Sequence, residues 1–469
     1  MATLVLDKHE VDLTKGPIFP MLMRFAVPFI IANVLNLLFH ATDIATLRFL
    51  VGGNAVAAVS ASTSLTTLFI NFFIGFSAGA SIVLSRCVGA NDMNKARKVV
   101  GTAISLSLVA GVFVMIIGWF GAETFLTWMG CPEDVLLDAT KYVRIYLLGA
   151  PIILLYNLGA GMLRAVGDSL RPMIYLMISG VANVGLNVFF ILVCNMTVEG
   201  VAIGTIASQL ISSILILIAM RKSKGFSRLE YKNLRFYKNE LADIVKVGLP
   251  TGIQSSLFSI SNVLITAAIN SFGSLALEGS GAGGQIDNFV CTMGDALGAA
   301  TMSFIGQNVG AKNINRIKKV ILTSILTIGC LELFLGVLTF LVRTPLLSIF
   351  VAREGAYPFA EQRMLVLCLS YFMCGIMQVF QFSMRAMGKS TTSMILAIFF
   401  VCVFRIIWLN SFYLLSPTFI MIFISYPVSW ALNIIAHLIV IIPLMKKLSR
   451  EFAKDKKIEQ TEKLEKVAG

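Results

Sequence analysis

Residues 22–48 read LMRFAVPFIIANVLNLLFHATDIATLR and decide how the rest of the chain is interpreted. The stretch is long and apolar enough to cross a membrane as one α-helix, yet Asp43 lies near its end. A carboxylate at membrane depth costs about 2.5–3.5 kcal/mol on insertion scales, so such a residue usually faces a cavity and serves a function. We therefore interpret Asp43 as a proton or cation site, against the alternative of an interfacial aspartate at the helix end.

The composition indicates a membrane protein. Of the 469 residues 57% are hydrophobic and 13% are charged, and the mean hydropathy is +0.84. A soluble chain has about 25% charged residues. The net charge of +13 would suggest nucleic acid in a soluble protein, but here the basic residues lie between apolar spans. Three histidines and eight scattered cysteines show no metal-ligand spacing, so neither nucleic acid, a cofactor nor a bound metal is expected, beyond a transported ion.

Apolar runs of about 20 residues recur along the whole length, and each is enough to cross a hydrocarbon core of about 30 Å. They predict an all-α polytopic membrane protein with about twelve transmembrane helices. The predicted spans are 18–44, 55–83, 99–119, 141–163, 172–194, 199–220, 245–272, 284–306, 320–342, 364–384, 394–414 and 418–445.

Basic connections alternate with connections poor in basic residues at every step except the ninth, which has both signs of charge. The connection after the sixth span, at 221–243, has seven lysines and arginines, whereas Glu199 and Glu278 are the only charges in the fifth and seventh connections. Since basic residues are enriched in cytoplasmic loops, this pattern predicts that both termini are cytoplasmic.

The chain contains an internal repeat. VGANDMNKARKVV at 88–100 matches VGAKNINRIKKVI at 309–321, and LRAVGDSLRPM at 163–173 matches MRAMGKSTTSM at 384–394. The two pairs have the same separation along the sequence, so one offset relates the first half of the chain to the second. Two halves of six spans each enter the membrane from the same side, which predicts a parallel repeat with a substrate cavity between the halves.

These boundaries divide the chain into five parts. We predict a cytoplasmic N-terminal tail at 1–17, an N-lobe at 18–220, a cytoplasmic linker at 221–243, a C-lobe at 244–446 and a cytoplasmic C-terminal tail at 447–469.

The order of several short motifs resembles the multidrug and toxic compound extrusion (MATE) family, in its bacterial branch similar to the DNA-damage-inducible exporters. The motifs are VPFIIANVLNLLFHATD, AVAAVSAS, VGANDMNKA, LRAVGDSLRPM, VEGVAIGTIAS, VGLPTGIQSSLFSISNV, QIDNF, FIGQNVGAKN and FRIIW. The resemblance implies two six-helix lobes, a V-shaped central cleft and alternating access. It also implies export of cationic or amphipathic organic compounds in exchange for H⁺ or Na⁺.

The resemblance also suggests site residues. Asp43 matches the first-helix aspartate used for cation coupling, and Asn183, Asn187 and Thr205 fall at the polar positions that accompany it, with Asn157 as a further neighbour. The family often has Asp at the position of Asn187. The alternative for these amides is interhelical hydrogen bonding, worth about 0.6 kcal/mol each.

A second set of residues is assigned to the substrate cavity. These are His40, Asn36, Gln285, Asp287 and Asp295. For the last two aspartates, pairing with Arg405 or Lys389 is the alternative.

Two positions depart from another branch of the family, which has acidic residues on the seventh and tenth helices. Phe258 and Gly375 stand there instead, which disfavours coupling of that type. Glu332 on the ninth span is interpreted as an interfacial or packing residue.

The resulting functional hypothesis is a secondary active multidrug antiporter in the plasma membrane of a bacterium. We expect it to act as a monomer, to take small organic compounds as substrates and to contact membrane lipids. In this hypothesis Asp43 takes up a proton from outside, substrate leaves, and the proton is released inside. The alternative is a flippase or exporter of a lipid-linked or other amphipathic lipid. An enzyme is disfavoured, because no nucleophile–base pair or metal cluster accompanies the three histidines.

Overall fold

The computed structural model describes residues 6–351 and 353–468, and within them the chain is helical, without a β-strand. The first seven α-helices are α1 (Ile18–Leu50), α2 (Gly53–Ala90), α3 (Met93–Trp128), α4 (Glu133–Leu148), α5 (Ala150–Ala165), α6 (Leu170–Leu192) and α7 (Val198–Lys222). They are followed by α8 (Lys238–Asn270), α9 (Ser274–Gly310), α10 (Ile314–Leu341), α11 (Arg343–Phe350), α12 (Tyr357–Cys368) and α13 (Tyr371–Ala386). The last are α14 (Ser390–Ala397), a π-helical segment (Ile398–Val403), α15 (Phe404–Leu409), α16 (Phe412–Leu415) and α17 (Phe419–Ala468).

Ten spans in the described part of the chain are long and apolar enough to cross a membrane. Two further pairs qualify when each is counted as one bent span: α4 with α5, bent by 50°, and α12, together with the short 3₁₀ turn before it, with α13, bent by 51°. The count thus reaches the twelve spans expected from hydropathy. Large apolar side chains such as Phe49, Phe120 and Leu415 are more than three-quarters exposed, as suits a surface solvated by lipid.

The described chain divides into two compact units. The first comprises residues 6–12, Met23–Val88 and Asp92–Ser259, and the second comprises Leu13–Leu22, Gly89–Asn91 and residues 260–351 and 353–468. The N-terminal part of α8 therefore belongs to the first unit. The lobe boundaries at 220 and 244 remain predictions.

The first unit has a helical core built from small and branched residues. α3 packs against α4 and α5, α7 packs against α4, α5 and α6, and Ala103, Leu163 and Met220 are among the fully buried core residues. The loop after α7 is tied down by Glu10, whose carboxylate accepts hydrogen bonds from the backbone N–H groups of Phe226 and Ser227 at 3.1 and 3.0 Å. The first apolar span is thereby preceded by an ordered segment.

The second unit centres on α9 and α13. α9 packs against α10, α12 and α13, and α17 packs against α12 and α13. Gly336 of α10 lies against the carbonyl of Cys368, where a side chain would collide with backbone. The helices here are therefore close enough for polar groups on three of them to meet.

The internal repeat is visible in local backbone conformation. Gly52 and Gly167 have φ values of 124° and 91°, and Gly273 and Gly388, at the equivalent positions of the second half, have values of 92° and 85°. These left-handed conformations favour glycine. The bends also repeat, since the break between α4 and α5 at 149 corresponds to the break between α12 and α13 at 370.

The repeated loop before α3 and α10 has the same helix cap in both halves. The Asp92 carboxylate accepts a hydrogen bond from the backbone N–H of Lys95 at 2.9 Å, and the Asn313 side chain accepts one from Arg316 at 3.2 Å. Such caps satisfy a helix N–H that would otherwise lack a partner. The shared motif is thus explained as a helix start.

Candidate functional site

Five of the predicted site residues lie together in the first unit. Asn36, His40 and Asp43 on α1, Asn183 on α6 and Thr205 on α7 line one cavity of about 40 Å³. A cavity of that size accommodates water-sized ligands, which need at least about 10–15 Å³. The cavity is therefore suited to a proton with water or to a small cation.

Asp43 is only 8% exposed, and its carboxylate accepts a hydrogen bond from the Asn187 side-chain amide at 2.6 Å. The same amide nitrogen also lies 3.5 Å from the side-chain oxygen of Asn183. Asn183 in turn reaches the hydroxyl of Thr205 at 3.4 Å. A chain of polar groups thus runs from α1 across α6 to α7.

The helical spacing of the two asparagines explains why both belong to the polar chain that begins at Asp43. Residues four apart lie on the same helix face, so Asn183 and Asn187 point from α6 in one direction. Both are buried. Their shared face meets α7, because α6 and α7 pack closely along their lengths.

Two glycines make room for this arrangement. A Cβ atom at Gly180 would collide with the ring of Phe39, so this glycine lets α1 approach α6. A Cβ atom at Gly204 would collide with the side-chain oxygen of Asn187. That oxygen is buried without a hydrogen-bond partner, so the amide is held in place by its N–H donor side.

Sequence reasoning missed three polar residues of the cavity wall. Ser179, Ser208 and Gln209 also line it, and the Ser179 hydroxyl donates a hydrogen bond to the carbonyl of Ser208 at 2.7 Å. Their spacing from Asn183 and Thr205 by three or four residues is the signal that would have found them.

Asn157 lies apart from this cavity. Its side-chain amide donates a hydrogen bond to the carbonyl of Ile153, four residues earlier on α5, at 2.8 Å. Its own carbonyl accepts a hydrogen bond from the Ser77 hydroxyl at 2.7 Å. In this structure Asn157 therefore connects α5 to α2, and the lining of the Asp43 cavity does not include it.

The remaining predicted residues are on α9 in the second unit. Gln285 and Asp295 are exposed, whereas Asp287 is buried and forms an ion pair with Arg363, whose Nη2 lies 2.6 Å from a carboxylate oxygen. The Tyr371 hydroxyl also donates a hydrogen bond to Asp287. Asp287 is thus paired, but its partner is Arg363 rather than Arg405 or Lys389.

Arg405 itself is buried elsewhere. Its guanidinium lies 3.7 Å from the centre of the Tyr426 ring, and its Nε donates a hydrogen bond to Ser429 at 3.1 Å. Residues 6–351 and 353–468 hold no cluster of three or more His, Cys, Asp or Glu side chains suited to a metal ion.

The fold and the polar cavity define a multi-pass membrane protein with a buried carboxylate. The MatE family profile matches residues 28–189 and 250–409, so the chain belongs to the MatE family of membrane transporters. The expected family and the all-helical two-lobe fold class are thereby confirmed.

Named relatives agree with this assignment. The chain is 28% identical to "Probable multidrug resistance protein YoeA" of Bacillus subtilis, with 82% of this chain and 85% of that protein covered. It is 22% identical to "Multidrug export protein MepA" of Staphylococcus aureus, with 84% and 87% covered.

Solved structures show the same fold. One is described as the outward-facing conformation of a multidrug resistance MATE family transporter of the MOP superfamily. It has a TM-score of 0.87 at 21% sequence identity, and the match covers 96% of this chain and 99% of that chain. A MOP superfamily transporter from Pyrococcus furiosus, described as having a binding pocket of reverse polarity, has a TM-score of 0.83 at 21% identity, with 94% and 97% covered.

Proposed function

We propose that this protein exports cationic or amphipathic small organic compounds across the plasma membrane in exchange for H⁺ or Na⁺, with Asp43 as the coupling residue. The observation that carries the proposal is the buried Asp43 carboxylate, which lies in a polar cavity with an amide donor at 2.6 Å. The names of the relatives, which concern multidrug resistance and export, support the substrate class.

The geometry suggests how Asp43 distinguishes two states. In the ion-free state the carboxylate is charged and needs the N–H donor of Asn187. Uptake of a proton or Na⁺ neutralises the charge and removes that need, so α1 is released from α6. An ion shifts a conformational equilibrium only through its different affinity for the two states, and the change at the Asn187 contact supplies such a difference.

The direction of transport follows from the order of these events. The ion binds Asp43 from outside and substrate leaves, after which the alternate state releases the ion inside and takes up a new substrate. The basic connections support cytoplasmic termini, which sets this direction relative to the cell.

The test is efflux of the fluorescent cation ethidium from proteoliposomes, with a pH gradient and a Na⁺ gradient applied separately. We expect one gradient to drive efflux in the wild-type protein and Asp43→Asn to abolish it, because the amide takes up no proton and has no negative charge to offset a bound Na⁺. Asp134→Asn, an exposed aspartate in the first turn of α4, is the matched control and should retain transport.

Each other outcome has a defined meaning. Efflux retained at full rate in folded Asp43→Asn contradicts the assignment of Asp43. Absence of efflux under either gradient in folded wild-type protein contradicts ion-driven export of cations and favours movement of an amphipathic lipid.

A further inference from the structure

A second buried carboxylate lies in the other unit of the protein. Glu332 on α10 is 0% exposed, so it is neither interfacial nor in contact with lipid headgroups. A lone ionised carboxylate in such surroundings is strongly unfavourable unless a cation or several donors compensate it. Its neighbours therefore show in which form it is held.

Only one of its two oxygens has a hydrogen-bond donor. The Glu332 Oε2 atom accepts a hydrogen bond from the backbone N–H of Gly375 on α13 at 2.8 Å. The Oε1 atom is buried without a partner, and so is the side-chain oxygen of Gln378, one helical turn further along α13. Two buried acceptors in one place, both without donors, are rare in folded proteins.

The two unpartnered oxygens face one another beside Gly294 on α9. A Cβ atom at Gly294 would lie 2.6 Å from the Gln378 oxygen and closer still to Glu332 Oε1, so both oxygens converge on one point. A Cβ atom at Gly375 would meet the other Glu332 oxygen. Glycines on two helices thus leave space at the carboxylate, and the space is bounded by oxygen atoms.

The ionisable side chains around Glu332 do not neutralise its carboxylate. The ionisable groups that interact with Glu332 are Cys291 and Asp295 on α9 and Cys374 on α13, and none of them is basic. No ion pair found among residues 6–351 and 353–468 includes Glu332, although α9, α12, α13 and α17 all pack against α10. The carboxylate therefore lacks a cationic side chain from any of these helices.

We infer that Glu332 and Gln378 together bind one monovalent cation, a proton or Na⁺, inside the second unit. With a proton, the neutral carboxyl group donates a hydrogen bond from Oε1 to the Gln378 oxygen. With Na⁺, both oxygens are ligands, as expected for a hard cation that prefers oxygen donors. The site goes beyond the proposed coupling at Asp43, which belongs to the other unit, and does not depend on it.

The experiment uses the full-length protein in lipid nanodiscs with Asp43→Asn as the background, so that the first cavity contributes no titrating carboxylate. Infrared spectra report carboxylic acid groups through their C=O stretch, and binding of radioactive Na⁺ reports the alternative ion. We expect Glu332→Gln to remove either one carboxylic acid band or saturable Na⁺ binding. Glu361→Gln, an exposed glutamate on α12 paired with Arg343, should remove neither.

A second variant keeps the test valid if Glu332→Gln does not fold. Gln378→Met keeps the side chain's length and removes the acceptor. In the proton case it should shift the carboxylic acid band to the frequency of a non-hydrogen-bonded group. In the Na⁺ case it should weaken binding by about tenfold or more, since a contact to a charged group contributes at least that much.

The opposite result is equally clear. If the spectra of the folded protein show only carboxylate bands, and neither variant changes Na⁺ binding, then Glu332 is ionised and held by the N–H donors of the Gln378 amide. That result overturns the site. Because Asp43 is already neutral in this background, it leaves the proposed function of Asp43 unaffected.

Discussion

Replacement of Asn187 by Leu tests the coupling geometry most directly. The Asn187 amide donates a hydrogen bond of 2.6 Å to the Asp43 carboxylate, and Asn187 is completely buried. A hydrogen bond to a charged group contributes about 1.5–3 kcal/mol. The variant loses this stabilisation only in the ion-free state, so binding of the coupling ion to Asp43 should become about 10- to 100-fold tighter, at about 1.4 kcal/mol per tenfold.

The assay is ethidium efflux from proteoliposomes as the external concentration of the coupling ion is varied. We expect the half-maximal concentration to fall by this factor, and the maximal rate to fall as well, because release of the ion inside becomes slower. Asn410→Leu is the matched control: that amide hydrogen-bonds the carbonyl of Ile406 four residues earlier, at 2.8 Å, outside the cavity. A higher half-maximal concentration in Asn187→Leu would refute the reasoning, since Asn187 would then be holding the ion itself.

Two further substitutions probe the packing around the candidate sites. Gly204→Ala places a methyl group against the Asn187 side-chain oxygen and should displace the amide. We therefore expect the tighter ion binding of Asn187→Leu in the same titration. An unchanged titration in a folded variant would contradict this contact. Arg363→Met leaves the buried Asp287 without its cation and should destabilise the protein by about 3–5 kcal/mol. Thermal unfolding in detergent measures this loss of stability. Arg343→Met, which breaks an exposed ion pair, is the control and should cost at most about 1 kcal/mol. Equal losses in the two variants would refute the role of Arg363 as the cation that compensates buried Asp287.

The sequence was sufficient for the features that depend on local pattern. Runs of apolar residues predicted the spans, because the length of a helix that crosses a bilayer is fixed by its rise per residue. Asp43 was identifiable by its depth in such a span, whereas Asn183 and Asn187 were assigned through the resemblance to the family. The structure places these three in contact or near contact.

Features that depend on long-range packing were not predictable in this way. The partner of Asp287 is Arg363, which lies 76 residues later in the sequence on a different helix. No sequence pattern links the two positions. Asn157 has the same side chain as Asn187, yet its amide bonds to its own helix, because its orientation is set by how α5 packs. The sequence shows Glu332 as an acidic residue in an apolar span. Its role depends on the residues of α9 and α13 that pack beside it, which the sequence does not indicate.

The internal repeat preserves the features that shape the backbone but not the buried acidic residues. Glycines with positive φ, the helix caps and the bends recur at the same offset between the halves, so both halves have the same local scaffold. The buried carboxylates do not recur: at that offset the counterpart of Asp43 in the second half is Leu264, and the counterpart of Glu332 in the first half is Gly111. The two halves thus have the same helical frame but non-equivalent acids on different helices. Since a site responds to an ion only through its own donors and acceptors, the halves of this protein are chemically distinct despite their common architecture.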